Sequence, residues 1–425
     1  MYPWKALSTW APFEIDALGL VTLLGANEVD IAVGRLAPSY WLEYMPLLAG
    51  FRHRDRNLAA WFTRWMQTQE FHVSRSLVYW EVDKTPRPRW MYFIVPALIS
   101  ATFNGFLLAM TVLSGDWYGF ANTIAIILLI IVRAYMIQEN RHAINKTVAA
   151  AKPLPTTFAG ALEEWKEKRK RDPQAPALRR DSRQWRPEVA KILVVMPDSR
   201  AVTMFIPEHL LRGVFVTETP VRSPGIYRLL QWTGWVAFTV HVVTLGMAQL
   251  ATQLYVVALM VIPTVLICYG YGCDDSRIAK GWRWLLGEEA APYVYQAGPQ
   301  LKATVFEWPE DVEFARDGKG VLYRRDPGPI SPDKRSTARQ DLYAWLNLTE
   351  EEQRSLWDWH LLPHRRGHDD SWWNIFNEKQ RLIRERPPDL KALKDRIQDE
   401  LRAPRFKRRV SNWRYKDLDV EKGFK

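Results

Sequence analysis

Three histidines fall within the stretch WDWHLLPHRRGHDDSWW: His360, His364 and His368, with Asp369 and Asp370 directly after them. Imidazole and carboxylate are ligands that zinc or iron takes, and a four-residue spacing sets side chains on one helical face. A metal held by His360, His364, His368 and Asp369 would supply the electrophile of a metal-dependent enzyme. Two neighbours oppose that reading: Pro363 interrupts a helix between the first two histidines, and Arg365 and Arg366 set positive charge beside a cation. The pattern also differs from His-Glu-x-x-His, where a glutamate adds the general base. A polar surface turn is the competing reading, and the sequence favours it.

Little else has catalytic spacing. The chain carries no P-loop, no Gly-x-Ser-x-Gly elbow, no dinucleotide-type glycine pattern and no Cys-x-x-Cys, so no motif specifies a cofactor. Its two cysteines, Cys268 and Cys273, are too few for a disulfide framework. They are expected as buried or juxtamembrane free thiols, with lipidation of Cys273 as the sharper alternative. Three polar residues, Asn104, Asn122 and His241, sit inside long apolar runs. A histidine at membrane depth is a functional candidate because an unpaired polar group there is expensive. The competing reading is a hydrogen bond to a Thr, Asn or Gln on a neighbouring helix.

The elements that would position these groups follow from the apolar pattern. Residues 91–113 run without a charge, enough at 1.5 Å per residue to cross a hydrocarbon core. After Ser114-Gly115-Asp116, a turn signal, residues 117–136 form a second run whose one charge, Arg133, is expected to snorkel to the headgroups. A second block, 229–271, holds no Lys, Arg, Asp or Glu; it divides near Gln249 into spans 229–248 and 253–272, the latter containing Pro263. The expected architecture is a mainly α membrane protein: two transmembrane helical hairpins, four spans, with α+β cytosolic segments. Lys84, Arg87 and Arg89, then Arg141 and Lys146, Arg222 and Arg228, and Arg277, Lys280 and Arg283 flank the runs, while neither inter-span turn has a basic residue. All four basic flanks, and hence both termini, are therefore expected in the cytosol. An earlier apolar stretch, residues 18–26, is too short to span and is read as an amphipathic helix rather than a signal segment. The sequons at Asn145 and Asn347 lie on the expected cytosolic side.

The remaining segments are polar and basic. Residues 1–90 read as amphipathic helices, including NLAAWFTRWMQTQEFHVSRSLVYWEV. The linker 137–228 contains a polybasic tract around Lys168, Arg169, Lys170 and Arg171, read either as a surface for anionic lipid or as a solvated linker, then KILVVMPDSRAVTMFIP, whose two β-branched runs around Pro-Asp-Ser-Arg predict a β-hairpin. A hairpin alone is marginal, so it must pack on another segment. In the C-terminal region, 273–425, residues 302–307 and 320–324 are expected strands joined by Asp-Gly-Lys-Gly, Thr349 and Glu352 fit a capping box, and residues 388–400 read as a helix. The tail carries seven basic and no acidic residues between Arg402 and Lys416, among them Arg405, Lys407, Arg408 and Arg409, interleaved with Trp413 and other aromatics. Basic plus aromatic suits an anionic membrane surface, and tethering by spans favours lipid over nucleic acid as the partner. The net charge of +11 agrees, and the 21 tryptophans suit either headgroup contact or filled soluble cores.

With two charge-free hairpins, a Lys/Arg-rich linker, the KILVVMPDSRAVTMFIP hairpin and tryptophan throughout, the chain resembles uncharacterised multi-span membrane proteins of filamentous fungi, some of which lie in secondary-metabolite gene clusters. That resemblance implies an accessory role and assigns no residue roles. Taken together the sequence favours a non-enzymatic scaffold or accessory subunit with protein partners or self-association. A transporter or channel subunit using Asn104 and His241, and a metal-dependent membrane enzyme using the histidine cluster, are the alternatives.

Overall fold

The structure, a computed structural model, describes residues 26–36, 44–46, 59–72, 76–82, 89–151, 166, 170, 189–198, 200–271, 293–296, 300–307, 313–325, 338–363 and 371–387. In chain order these form α1 (Ala26–Gly34), α2 (Ala60–Thr68), β1 (Ser76–Val82), α3 (Arg89–Ser114), α4 (Trp117–Ala150), β2 (Val189–Val195) and β3 (Ala201–Pro207). A short α5 (Glu208–Leu210) continues as a π-helical turn, Leu211–Val216, and is followed by α6 (Pro224–Met247) and α7 (Leu250–Cys268). Strands β4 (Tyr293–Gln296), β5 (Leu301–Glu307), β6 (Glu313–Arg316) and β7 (Leu322–Arg325) precede α8 (Arg339–Trp345), α9 (Glu350–Asp358) and α10 (Ser371–Glu385). Helix predominates, and among the described residues three helical stretches are long and apolar enough to cross a bilayer: Pro96–Ser114, Trp117–Ala150 and Leu250–Cys268.

A five-stranded sheet of order β2-β3-β1-β5-β4 forms the second layer, with β1 parallel to β3 and every other pairing antiparallel. Successive side chains on a strand point to opposite faces, and here both faces are covered. Val78 and Trp80 of β1, Val202, Met204 and Ile206 of β3, and Leu301, Ala303 and Val305 of β5 enter one core. Leu77 and Phe205 enter another, with Tyr79 and Leu193 packed against it. The first core is closed by Trp61, Phe62, Trp65 and Met66 of α2, by Leu210, Val214 and Phe215, and by Ile137, Ile144 and Val148 of α4. The second is closed by α8, α9 and α10 through Leu342, Trp345, Leu356, Trp373, Phe376 and Ile383. Lys379 of α10, buried beneath α8, donates to Asp341 and, at 2.8 Å, to Gln340 Oε1.

The two-sided burial explains where the sequence reading fails. Residues 76–82 belong to a strand, not an amphipathic helix, because SLVYWEV carries apolar side chains to both faces of a covered sheet. The Asp-Gly-Lys-Gly turn joins β6 to β7 in a separate two-stranded sheet, while β5 pairs with β1 and β4 instead. The expected hairpin forms as β2 and β3, closed by Met196 N–H donating to Arg200 O at 2.8 Å, and gains its packing partner when β3 pairs with β1. The capping box opens α9, with Glu352 N–H donating to Thr349 Oγ1 at 3.2 Å and Thr349 N–H to Glu352 Oε2 at 2.8 Å.

A third cluster lies among the apolar helices: Leu107 and Met110 of α3, Ile126 and Ile130 of α4, Leu245 of α6, and Val256, Leu259, Met260 and Ile267 of α7. Their outward faces carry exposed large apolar residues, including Leu98, Phe106, Leu113, Ile124, Ile131, Leu229, Val236, Val243, Ile262 and Val265. Apolar exposure on that scale suits hydrocarbon rather than water. Helix α4 does not end at residue 136; its 34 residues extend about 51 Å. One helix thus belongs first to the apolar layer and then to the core beneath the sheet. Of the tryptophans, Trp65, Trp80 and Trp345 are buried in cores, whereas Trp117, Trp232 and Trp235 are exposed on apolar helices.

Candidate functional site

Three polar arrangements stand out among the apolar helices: a clamp, an interhelical pair and a local bond. Helix α3 ends in a Schellman motif, with Gly115 N–H donating to Val112 O at 3.2 Å and Asp116 N–H to Thr111 O at 3.0 Å; Gly115 takes φ +67°, a conformation that favours glycine. That turn presents the Asp116 carboxylate to the start of two helices. Its Oδ1 accepts from Gly119 N–H at 2.9 Å, capping α4. Its Oδ2 accepts from Gln249 N–H at 2.9 Å and from Thr252 Oγ1 at 2.8 Å, at the opening of α7. Asp116 is 4% exposed, so a buried carboxyl group is held by three donors at the starts of two helices. Gly119 permits the approach, since an added Cβ would stand 2.5 Å from Asp116 Oδ2 and 2.8 Å from Thr252 Cγ2.

Two turns deeper, Asn122 of α4 faces His241 of α6. Asn122 Nδ2 donates to His241 O at 2.9 Å, which leaves Oδ1 as the acceptor 3.3 Å from His241 Nδ1. Both side chains are buried, and the pair ties α4 to α6. Asn104 makes a different kind of bond, donating to Ser100 O at 2.8 Å within its own helix. Asn104 and His241 thus have separate hydrogen-bond partners, on α3 and α4 respectively.

At the other end of the apolar run the two arginines of α4 turn inward. Arg133 is 6% exposed and donates to Met45 O, and Arg141 donates from Nε to Leu36 O at 3.0 Å. Where snorkelling of Arg133 is expected, its side chain is buried against the N-terminal region, whose Met45 carbonyl accepts from the guanidinium. Beside them opens a cavity of about 450 Å3 between α1, α2, α4 and the start of α6. Trp61, Ile137, Ile144 and Leu36 form its apolar wall, and Arg64, Arg133 and Arg228 supply positive charge. Asp30 and Glu218 also line it. Asn140 Nδ2 donates to Tyr227 Oη at 3.1 Å across its rim, joining α4 to α6.

The expected metal ligands take other places. Helix α9 ends at Asp358, and His360 occupies the left-handed residue of its Schellman cap at φ +55°, with its N–H donating to Trp357 O at 2.8 Å and Leu361 N–H donating to Leu356 O at 2.9 Å. The helical spacing that would align His360 with His364 therefore ends before His360. His364, His368 and Asp369 lie outside the described residues, and no group of three metal-ligating side chains occurs among the described ones. Of the basic lipid-facing candidates, Lys170 is exposed; Lys168, Arg169, Arg171, Arg405, Lys407, Arg408, Arg409 and Trp413 lie outside the described residues, as do residues 18–25, Cys273 and the expected helix 388–400.

Sequence reasoning missed Asp116 as a bridge and the cavity altogether. Asp116 was visible only as part of a turn, since its second set of partners stands more than 130 residues away. Comparison with protein-family models, curated proteins and solved structures finds no match for this chain.

Proposed function

We propose that the chain is a four-span membrane scaffold or accessory subunit that holds its sheet layer against the cytosolic face, with both termini on that side. The observation that carries this reading is the continuity of α4: after a membrane-length apolar segment the same helix supplies Ile137, Ile144 and Val148 to the core beneath the sheet. A rigid extension of this kind fixes the orientation of a soluble surface relative to the bilayer. Support for α6 as the fourth span comes from its 24 residues, uncharged after Arg228, and from an exposed apolar stripe through Leu229, Trp232, Val236, Val240, Val243 and Met247. The Asp116 clamp puts the α3–α4 turn beside the α6–α7 break at Ala248 and Gln249, as expected if both face the same compartment.

A scaffold suits the intramembrane polar groups better than a conduit does. Asn122 and His241 bond to each other, and Asn104 bonds within its own helix. The basic tracts around Lys170 and Arg408 add an electrostatic hold on anionic lipid, each basic residue contributing on the order of 1 kcal/mol near the surface. Sidedness is the test. With Cys268 and Cys273 replaced by serine, Ser114→Cys and Gly318→Cys are labelled separately with an impermeant maleimide in sealed membrane vesicles whose cytosolic face is outward, and again after permeabilisation. Gly318→Cys is expected to react in the sealed vesicles and Ser114→Cys only after permeabilisation. Reaction of both from one side removes the topology.

A further inference from the structure

We infer that the cavity between α2, α4 and α6 is a binding site for the phosphate-bearing headgroup of a phospholipid from the cytosolic leaflet, an inference that rests on the four-span reading. Its depth can be measured along two helices from a common origin. The Asp116 clamp joins the start of α4 to the α6–α7 break. Twenty residues along α4 from Trp117 lead to Met136, and twenty back along α6 from Met247 lead to Arg228, each about 30 Å. Both Met136 and Arg228 line the cavity, and the Asn140–Tyr227 hydrogen bond joins the helices at that level. The cavity therefore opens where headgroups lie.

Its chemistry matches the depth. Arg64, Arg133 and Arg228 converge from three separate elements. Arg133 is committed to Met45 O, while Arg64 and Arg228 make no hydrogen bond or ion pair among the described residues. Arg64 is held in place by its stem, which runs so close to Gly34 that an added Cβ there would meet Arg64 Cδ at 2.1 Å. Guanidinium groups donate in a planar fork that suits phosphate oxygens. Asp30 and Glu218 are engaged in interactions of their own and stand where a headgroup amine or glycerol hydroxyl would approach. About 450 Å3 is room for a glycerophosphate with the first methylenes against Trp61 and Ile137.

The test titrates the detergent-solubilised full-length protein with phosphatidic acid and reads the bound fraction by native mass spectrometry. The wild type is expected to bind one molecule, Arg228→Gln to bind about tenfold more weakly, and Arg64→Gln with Arg228→Gln more weakly still. Position 228 is exposed, so the single variant keeps the fold if the pair does not. Diacylglycerol, which lacks the phosphate, is expected to compete poorly. Equal binding by wild type and Arg228→Gln overturns the site. Displacement of phosphatidic acid by an equal concentration of glycerol 3-phosphate overturns the lipid source in favour of a soluble phosphate ester. Binding in detergent does not depend on sidedness, so failure of the site and failure of the maleimide-tested topology read out separately.

Discussion

The two ends of α4 are held by different physics. At Trp117 the helix is fixed by a carboxylate, a glycine that lets it approach, and the Asn122–His241 pair with α6; past Ile137 aromatic and aliphatic burial is added to the Asn140–Tyr227 and Arg141–Leu36 hydrogen bonds. Around Trp80 the rings stand edge to face, with centroids 4.8 Å from Trp65, 4.9 Å from Phe215 and 5.7 Å from Trp61. The difference follows from the solvent. In water, burying a tryptophan removes a large apolar surface and drives packing. Between helices surrounded by hydrocarbon, apolar contact alone gives little preference for protein over lipid, so small residues and hydrogen bonds decide which helices meet.

Breaking the water-driven end is expected to have the largest effect. Trp80→Ala should destabilise the sheet layer by about 3–5 kcal/mol, read as loss of protease resistance in the segment 189–216 while the apolar helices stay membrane-inserted. Parallel loss of insertion would mean that the two ends are one cooperative unit. At the other end Asp116→Ala removes the cap of α4 and strands the Gln249 N–H and the Thr252 hydroxyl at the opening of α7, a loss of about 2–3 kcal/mol in steric-trap or thermal unfolding in detergent. No change there would show that the clamp is incidental. Thr349→Ala, which removes the α9 capping box far from either end of α4, should cost about 1 kcal/mol and leave the apolar helices untouched, as a thermal melt would report. The smallest effect belongs to Asn122→Leu, about 0.6 kcal/mol, because polar pairs in membranes are modest in measured strength. If Asn122→Leu instead proved as damaging as Asp116→Ala, the Asn122–His241 pair would be a principal tie of the bundle.

Much of the chain was legible where the signal is local. The uninterrupted apolar runs, the break at Gln249, the seven-residue β-branched runs around Pro-Asp-Ser-Arg and the Thr349–Glu352 box each depend on residues close in sequence. The misreadings arise where partners are distant. SLVYWEV has no strand alternation to display because α2 and α4 cover one face of the sheet and α8 to α10 the other. The Asp-Gly-Lys-Gly turn was recognised, but the choice of β6 over β5 as its leading strand depended on β1 taking β5. His360 looked like a ligand by type and spacing, yet its backbone closes a helix.

What the sequence by itself determined is the membrane character and the position of the turns, because a charge-free run of membrane length and a Gly-Asp or Gln break act through solvation and local backbone preference. Only the tertiary structure decided that Asp116 joins the two turns, that α4 runs on into the sheet core, and that Arg64, Arg133 and Arg228 line one cavity. Each of those depends on which distant residues meet, as when the Asp116 carboxylate takes donors from two helices that stand more than 130 residues apart.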